Sequence, residues 1–156
     1  MTIKLILIAK TNVQQLRVLC EEYTKRLKHY TDFEIEILSL PKKKRFASES
    51  EQKTEEGKIL LQKLKPSDVV VLLDERGREM TSEAFAKQIE KYQLQATKQL
   101  VFIVGGAYGV SREVFDRANM TMALSKMTFS HQMVRVIFVE QLYRAFTILK
   151  GESYHH

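Results

Sequence analysis

Residues 99–131, QLVFIVGGAYGVSREVFDRANMTMALSKMTFSH, decide how the chain is read. Apolar residues from Leu100 to Val104 run into Gly105, Gly106 and Gly109, and the pattern predicts a strand, a glycine turn, a short helix, a second strand and a structured loop. A backbone that turns sharply or lies against a ligand needs residues without a Cβ. The order G-G-x-x-G matches neither the dinucleotide fingerprint nor a phosphate loop. Two readings stay open: a tight turn capped by Ser111, or a backbone that approaches a ligand.

Outward from this stretch the chain alternates strand and helix. Residues 3–9 form a continuous aliphatic run, as in a strand buried on both faces, and a helix follows over 12–29. Residues 33–38 alternate, with Phe33, Ile35 and Ile37 on one face, which suits a strand near a sheet edge. After Pro41 comes the densest basic run, Lys42, Lys43, Lys44 and Arg45, which reads as a solvated loop or as a phosphate contact. A charged helix over 49–64 carries Ile59, Leu60 and Leu64, and Pro66 closes it. Residues 68–77 predict a central strand that ends at Asp74 and turns at Gly77, which leaves Leu73 at its carboxyl end. Ser82 is expected to cap a helix bearing Phe85, Ile89 and Tyr92.

The last helix, 131–149, is apolar on two sides: Val134, Phe138, Leu142, Ala145 and Leu149 on one, Val136, Val139 and Tyr143 on the other. It is either buried inside its own monomer or, as the small size of the chain favours, covered on one side by a second subunit. The whole pattern is α/β: a mostly parallel sheet with helices on both faces and ligands at the carboxyl ends of the strands. Leu73, Gly105 and the loop after Leu124 then converge.

With 156 residues and no internal repeat or linker, one domain over 1–156 is expected. No apolar run is long enough to span a bilayer, and the N-terminus has neither a basic leader nor a small-residue cleavage site. The single cysteine, Cys20, shares a helical face with Leu16, Tyr23 and Leu27 and reads as a core residue of a cytoplasmic protein. The net charge of +6 favours a polyanionic partner. Four histidines without ligand spacing argue against a metal, and no G-x-S-x-G elbow supports a hydrolase triad.

FIVGGAYG at 102–109, LSKMTFSHQMVRVIFVEQLYRAF at 124–146 and the terminal Tyr154-His155 pair together resemble the ribosomal RNA large subunit methyltransferase H family, of the SPOUT class. The resemblance covers the whole chain, including IKLILIAK at 3–10, and is most specific over 101–155. It implies a C-terminal trefoil knot threaded near 99–131. It also implies transfer of a methyl group from S-adenosyl-L-methionine to N3 of a pseudouridine in helix 69 of 23S rRNA in the assembled ribosome. By the same resemblance, Leu73, Gly105, Leu124, Ser125, Lys126, Met127, Thr128 and Phe129 bind the cofactor. Tyr154 and His155 position or deprotonate the base across a homodimer interface, with no DNA or membrane as partner. Without the resemblance, the tail reads as a frayed end or a tag remnant; the rival readings of the chain are a non-enzymatic RNA-binding or ribosome-associated α/β protein that keeps the scaffold without turnover, and a Rossmann-type nucleotide enzyme, motivated by the glycine turn. Ser130, Ser153 and His156 depart from the family pattern, which commonly has proline at the first two and a basic residue at the third. Ser130 remains a good helix cap, whereas Ser153 is expected to loosen the tail.

Overall fold

A computed structural model describes residues 1–40 and 45–155. The elements, in order, are β1 (Thr2–Ile8), α1 (Gln14–Leu27), β2 (Asp32–Leu38), α2 (Glu49–Gln62), β3 (Val69–Glu79), α3 (Ser82–Leu94), β4 (Gln99–Val104), α4 (Arg112–Arg117), β5 (Met120–Ala123) and α5 (Met133–Leu149), with a 3-10 turn at Ser153–His155. The strands form one sheet in the order β2-β1-β4-β3-β5, with every pair parallel. β2 lies at an edge, as its alternating sequence implies.

The pleat divides the strands' side chains between two cores. Ile3, Leu5, Leu7, Leu100, Phe102 and Val71 face α1, α3 and α5. Ile6, Ile8, Val101, Ile103, Val70 and Leu72 face the other way, against Leu60 of α2 and Val114 of α4. A strand covered on both faces has no polar side to show, which is why β1 from Leu5 and β4 from Leu100 read as unbroken apolar runs, with Lys4 near the start of β1 paired to Glu34 and Glu36 of β2. Cys20 is buried in the first core, and burial pushes its thiol up to about 11.

Phe33, Ile35 and Ile37 share one face of β2, with Ile37 45% exposed, and Leu38 is buried in the second core on the other face. Three details differ from the sequence reading. The helix after β3 is capped by Thr81, whose hydroxyl accepts from the N–H of Ala84 at 3.2 Å, while Ser82 donates to Gln141 Oε1 at 2.7 Å. β3 runs on to Glu79: both Leu73 and Arg78 align with Met122, so residues 74–77 bulge from the ladder. The middle of both apolar stripes of α5 is covered within the chain, with Val136 7% exposed and Phe138, Val139, Leu142 and Ala145 fully buried, while Val134, Tyr143 and Leu149 are half-buried. Here α5 packs between α1 and α3, which accounts for most of its two-sided apolarity within one chain.

Lys42, Lys43, Lys44 and His156 lie outside the described residues. Among the described residues no helix is long and apolar enough to cross a membrane.

Candidate functional site

Parallel register sets Leu73, Val104 and Met122 abreast at the carboxyl ends of β3, β4 and β5. Three segments leave the sheet there: the bulge 74–77, the glycine turn and the loop from Leu124 to Gln132. Between them lies a cleft of about 470 Å³, within the usual range for small-molecule sites. Leu73, Gly105, Leu124, Ser125, Met127, Thr128 and Phe129 all line it. Lys126 is exposed and is not part of the lining.

The glycine turn is tight, as the first reading has it, but Ser111 does not cap the helix after it, and the main chain of the turn borders the cleft. Within the turn Gly109 N–H donates to the Gly106 carbonyl at 3.1 Å and Gly109 takes φ +84°. A Cβ on Gly105 would stand 2.9 Å from Val110 Cγ1 and 3.0 Å from the Gly109 carbonyl, so the doubled-back chain leaves no room for one. Ser111 occupies the cap position of α4, but its hydroxyl accepts no helix N–H; it is buried against Gly57 of α2 instead.

Short side chains hold the opposite wall. Ser125 Oγ accepts from Met127 N–H at 2.9 Å, and Thr128 donates to Glu75 Oε2 at 2.6 Å, joining the loop to the bulge. Ser130 Oγ accepts from Met133 N–H at 3.2 Å and its carbonyl from Val134 N–H at 3.0 Å, so Ser130 closes the turn that leads into α5, while Gln132 at the cap position itself makes no side-chain cap bond.

Several residues of the site carry no distinctive sequence signal. On the bulge, Arg76 donates Nε and its backbone N–H to Asp74 Oδ1, both at 2.9 Å, and Nη2 to Oδ2 at 3.0 Å. The Arg76 side chain thereby holds the Asp74 carboxyl below its ordinary range. Tyr108 and His131 also line the cleft.

Arg135 is fully buried in α5 and donates Nη2 to the Ile8 carbonyl at 2.8 Å, Nη1 to the Ala9 carbonyl and to Thr11 Oγ1 at 3.0 Å each, and Nε to the His131 carbonyl at 2.9 Å. It ties the end of β1 to the cleft-lining residue at the start of α5. Glu56, 5% exposed, lies behind the glycine turn: Gln52 donates to its Oε1 at 2.8 Å, Oε2 has no hydrogen-bond partner, and burial raises its pKa.

Tyr154 does not line the cleft of its own chain. Its ring packs edge-on to Tyr143 at 4.8 Å, and its hydroxyl donates to Glu140 Oε1 at 3.1 Å while lying 3.1 Å from Tyr23 Oη. With that proton committed to Glu140, Tyr23 is the donor in the second bond. Burial first, then the Tyr23 bond, raises the phenol above its ordinary pKa, so it keeps its proton at neutral pH.

The tail is tied down on either side of Ser153. Gly151 N–H donates to the Ile148 carbonyl at 3.0 Å and Glu152 N–H to the Thr147 carbonyl at 2.9 Å, a Schellman closure of α5. Tyr30 then donates to Glu152 Oε2 at 2.6 Å. His155 completes the 3-10 turn.

The family model described as "Predicted SPOUT methyltransferase" matches residues 1–155. Proteins named "Ribosomal RNA large subunit methyltransferase H" are similar over full length. That of Christiangramia forsetii is 52% identical over all 156 residues and 99% of its own length. Those of Flavobacterium psychrophilum and Cytophaga hutchinsonii are each 49% identical over all 156 residues, covering 99% and 100% of their own lengths.

Proposed function

Because the chain belongs to the SPOUT methyltransferases, and among them to the ribosomal RNA large subunit methyltransferase H family, we propose that it methylates N3 of a pseudouridine in helix 69 of 23S rRNA, in the assembled ribosome, using S-adenosyl-L-methionine. The observation that carries this reading is the convergence of Leu73, Gly105, Leu124, Ser125, Met127, Thr128 and Phe129 on one cleft. Those residues suit an adenine nucleoside: aliphatic and aromatic side chains enclose a ring while the open main chain of the glycine turn and the 124–129 loop reads its edge. Lys126 would contribute main-chain groups alone. When bound, the cofactor supplies an electrophilic methyl group on a sulfonium.

The chain's own tasks are to hold the target base and to take the proton that N3 loses. Tyr154 positions the base, its phenol keeping its proton and turning it from Glu140 to an acceptor on the base when the substrate is bound. His155, whose side-chain type titrates near neutral pH, takes the proton. Tyr154 packs on α1 and α5 of its own chain instead of in its own cleft, which supports a homodimer in which each tail serves the partner's cleft. Exposed Val13 and Met133 offer apolar contact for such an interface. The Gln132 side chain draws their segments together by accepting from Asn12 and Val13 N–H at 3.0 and 3.1 Å.

In this reading the whole chain, 1–156, is one cytoplasmic domain with neither DNA nor membrane as partner. Residues 99–131 form the SPOUT trefoil knot, and a chain that passes beyond β3 to β5 and returns as α5 is compatible with it. Calorimetric titration with S-adenosylhomocysteine tests the cofactor. The wild type should bind, and Gly105→Val, whose side chain would displace Gly109 and Val110 and so the turn that borders the cleft, should lose binding, with circular dichroism checking that the variant is folded. No binding to the folded wild type would remove the cofactor reading, and methyl transfer to ribosomes lacking the modification tests the substrate.

A further inference from the structure

A second concavity, on the far side of α1 from α5, is absent from the proposed chemistry. It is a groove of about 570 Å³ between α1 and β2. Phe33, Ile35 and Ile37 form its apolar floor, and Glu34 on the opposite pleat lines it too, so it wraps round the unpaired edge of β2.

Lys10, Arg17, Lys25 and Lys28 stand around it, all exposed. Among the described residues none of the four has a carboxylate partner, whereas Lys4, Arg26, Lys58 and Lys63 are all paired. Of the two acids in the lining, Glu34 is held by Lys4 at 2.8 Å, which leaves Glu21 as the counter-charge. The Thr24 hydroxyl in the wall has no hydrogen-bond partner.

From Arg17 to Lys28 is 28 − 17 = 11 residues of helix and its cap, a rise of about 16 Å. A row that long of cations without carboxylate partners, Arg17 donating only to the neutral Gln14 amide, suits a ligand with repeated charges, not a single anion. An apolar floor beside a free strand edge adds a surface for flat rings, together with main-chain groups that can read their polar edges.

We propose that this groove binds a single-stranded segment of RNA, with phosphates along Lys10, Arg17, Lys25 and Lys28 and a base against Ile35 and Ile37. The inference rests on the rRNA substrate of the proposed function and adds a second contact remote from the cleft, one that anchors the substrate without touching the reacting base.

The test uses full-length protein and a short single-stranded RNA oligonucleotide. Ultraviolet crosslinking to the wild type should modify the peptide containing Phe33 to Ile37. The variant K10A/K25A/K28A should bind the oligonucleotide at least about tenfold more weakly. Its dependence of log affinity on log salt should be shallower by about 2, at roughly 0.7 per single-strand phosphate. S-adenosylhomocysteine affinity should not change, since none of the three lysines lines the cleft. On ribosomes, KM should rise with kcat unchanged. Equal RNA affinity and salt slope in variant and wild type, crosslinks confined to other peptides, or occupation by polyglutamate in preference to RNA would each overturn the proposal. If the wild type methylates ribosomes and the variant does so with the same KM, the groove assignment fails and the proposed function stands. If RNA crosslinks into the groove but ribosomes are never methylated, the proposed function fails and the groove stands.

Discussion

Arg135 carries a charge into the first core without a carboxylate to meet it, and its guanidinium is satisfied by three carbonyls and a hydroxyl. Those acceptors would lose their donors together if the side chain were apolar. Arg135→Met is therefore expected to lower unfolding free energy by about 3 kcal/mol in denaturant titration. Arg135→Lys should recover only part of it, because one ammonium cannot reach acceptors spread around a planar fork.

Glu56 is the opposite case, a buried carboxyl whose pKa is raised by burial, so the folded state binds its proton more tightly than the unfolded chain. Its contribution to stability is present below the ordinary carboxyl pKa and is lost as pH rises through the raised folded value. Glu36 and Asp74, held low by Lys63 and Arg76, have the opposite sign and lose stability as pH falls. The difference between wild type and Glu56→Gln isolates the Glu56 part. Relative to wild type, the variant should gain stability as pH climbs from about 4 toward neutrality. A difference that does not vary with pH would show that Glu56 does not titrate in this window.

Among the elements, the two ends of α5 determine what the helix can do. Ser130 fixes its start beside the cleft, and the Schellman closure at Gly151 turns the tail back toward α1. α3 shows how far adjacent hydroxyls can mislead: Thr81 and Ser82 are equally plausible caps in sequence, yet Ser82 is drawn off by Gln141 of α5. Thr81→Ala should cost about 1 kcal/mol in thermal or denaturant unfolding, the usual value of a lost cap. No loss would mean that Ser82 can take over the role.

For the whole molecule, the separation of Tyr154 from its own cleft leads to a test of division of labour between subunits. Truncation after Lys150 should leave S-adenosylhomocysteine affinity unchanged and abolish methyl transfer. Mixing the truncated protein with Gly105→Val, each inactive alone, should restore activity, because a mixed dimer has one sound cleft served by one sound tail. No recovery in a mixture shown by sedimentation to contain dimers would exclude service in trans.

The sequence by itself determined the α/β alternation, the edge position of β2, the burial of β1 and β4, and the convergence of Leu73, Gly105 and the 124–129 loop. Each of these follows from side-chain periodicity or from the rule that parallel strands end together, and both are local or topological properties. Only the tertiary structure decided the rest. The bulge at 74–77 arises because Arg78, after four unpaired residues, aligns with the same Met122 as Leu73. Arg135 finds acceptors more than 120 residues away in β1 and just after it, and no spacing rule links them. The two apolar sides of α5 are largely covered by α1 and α3, neighbours that helix periodicity counts but does not name. Contacts between distant segments depend on which surfaces meet when the sheet closes, and that is a property of the packed chain rather than of any window along it.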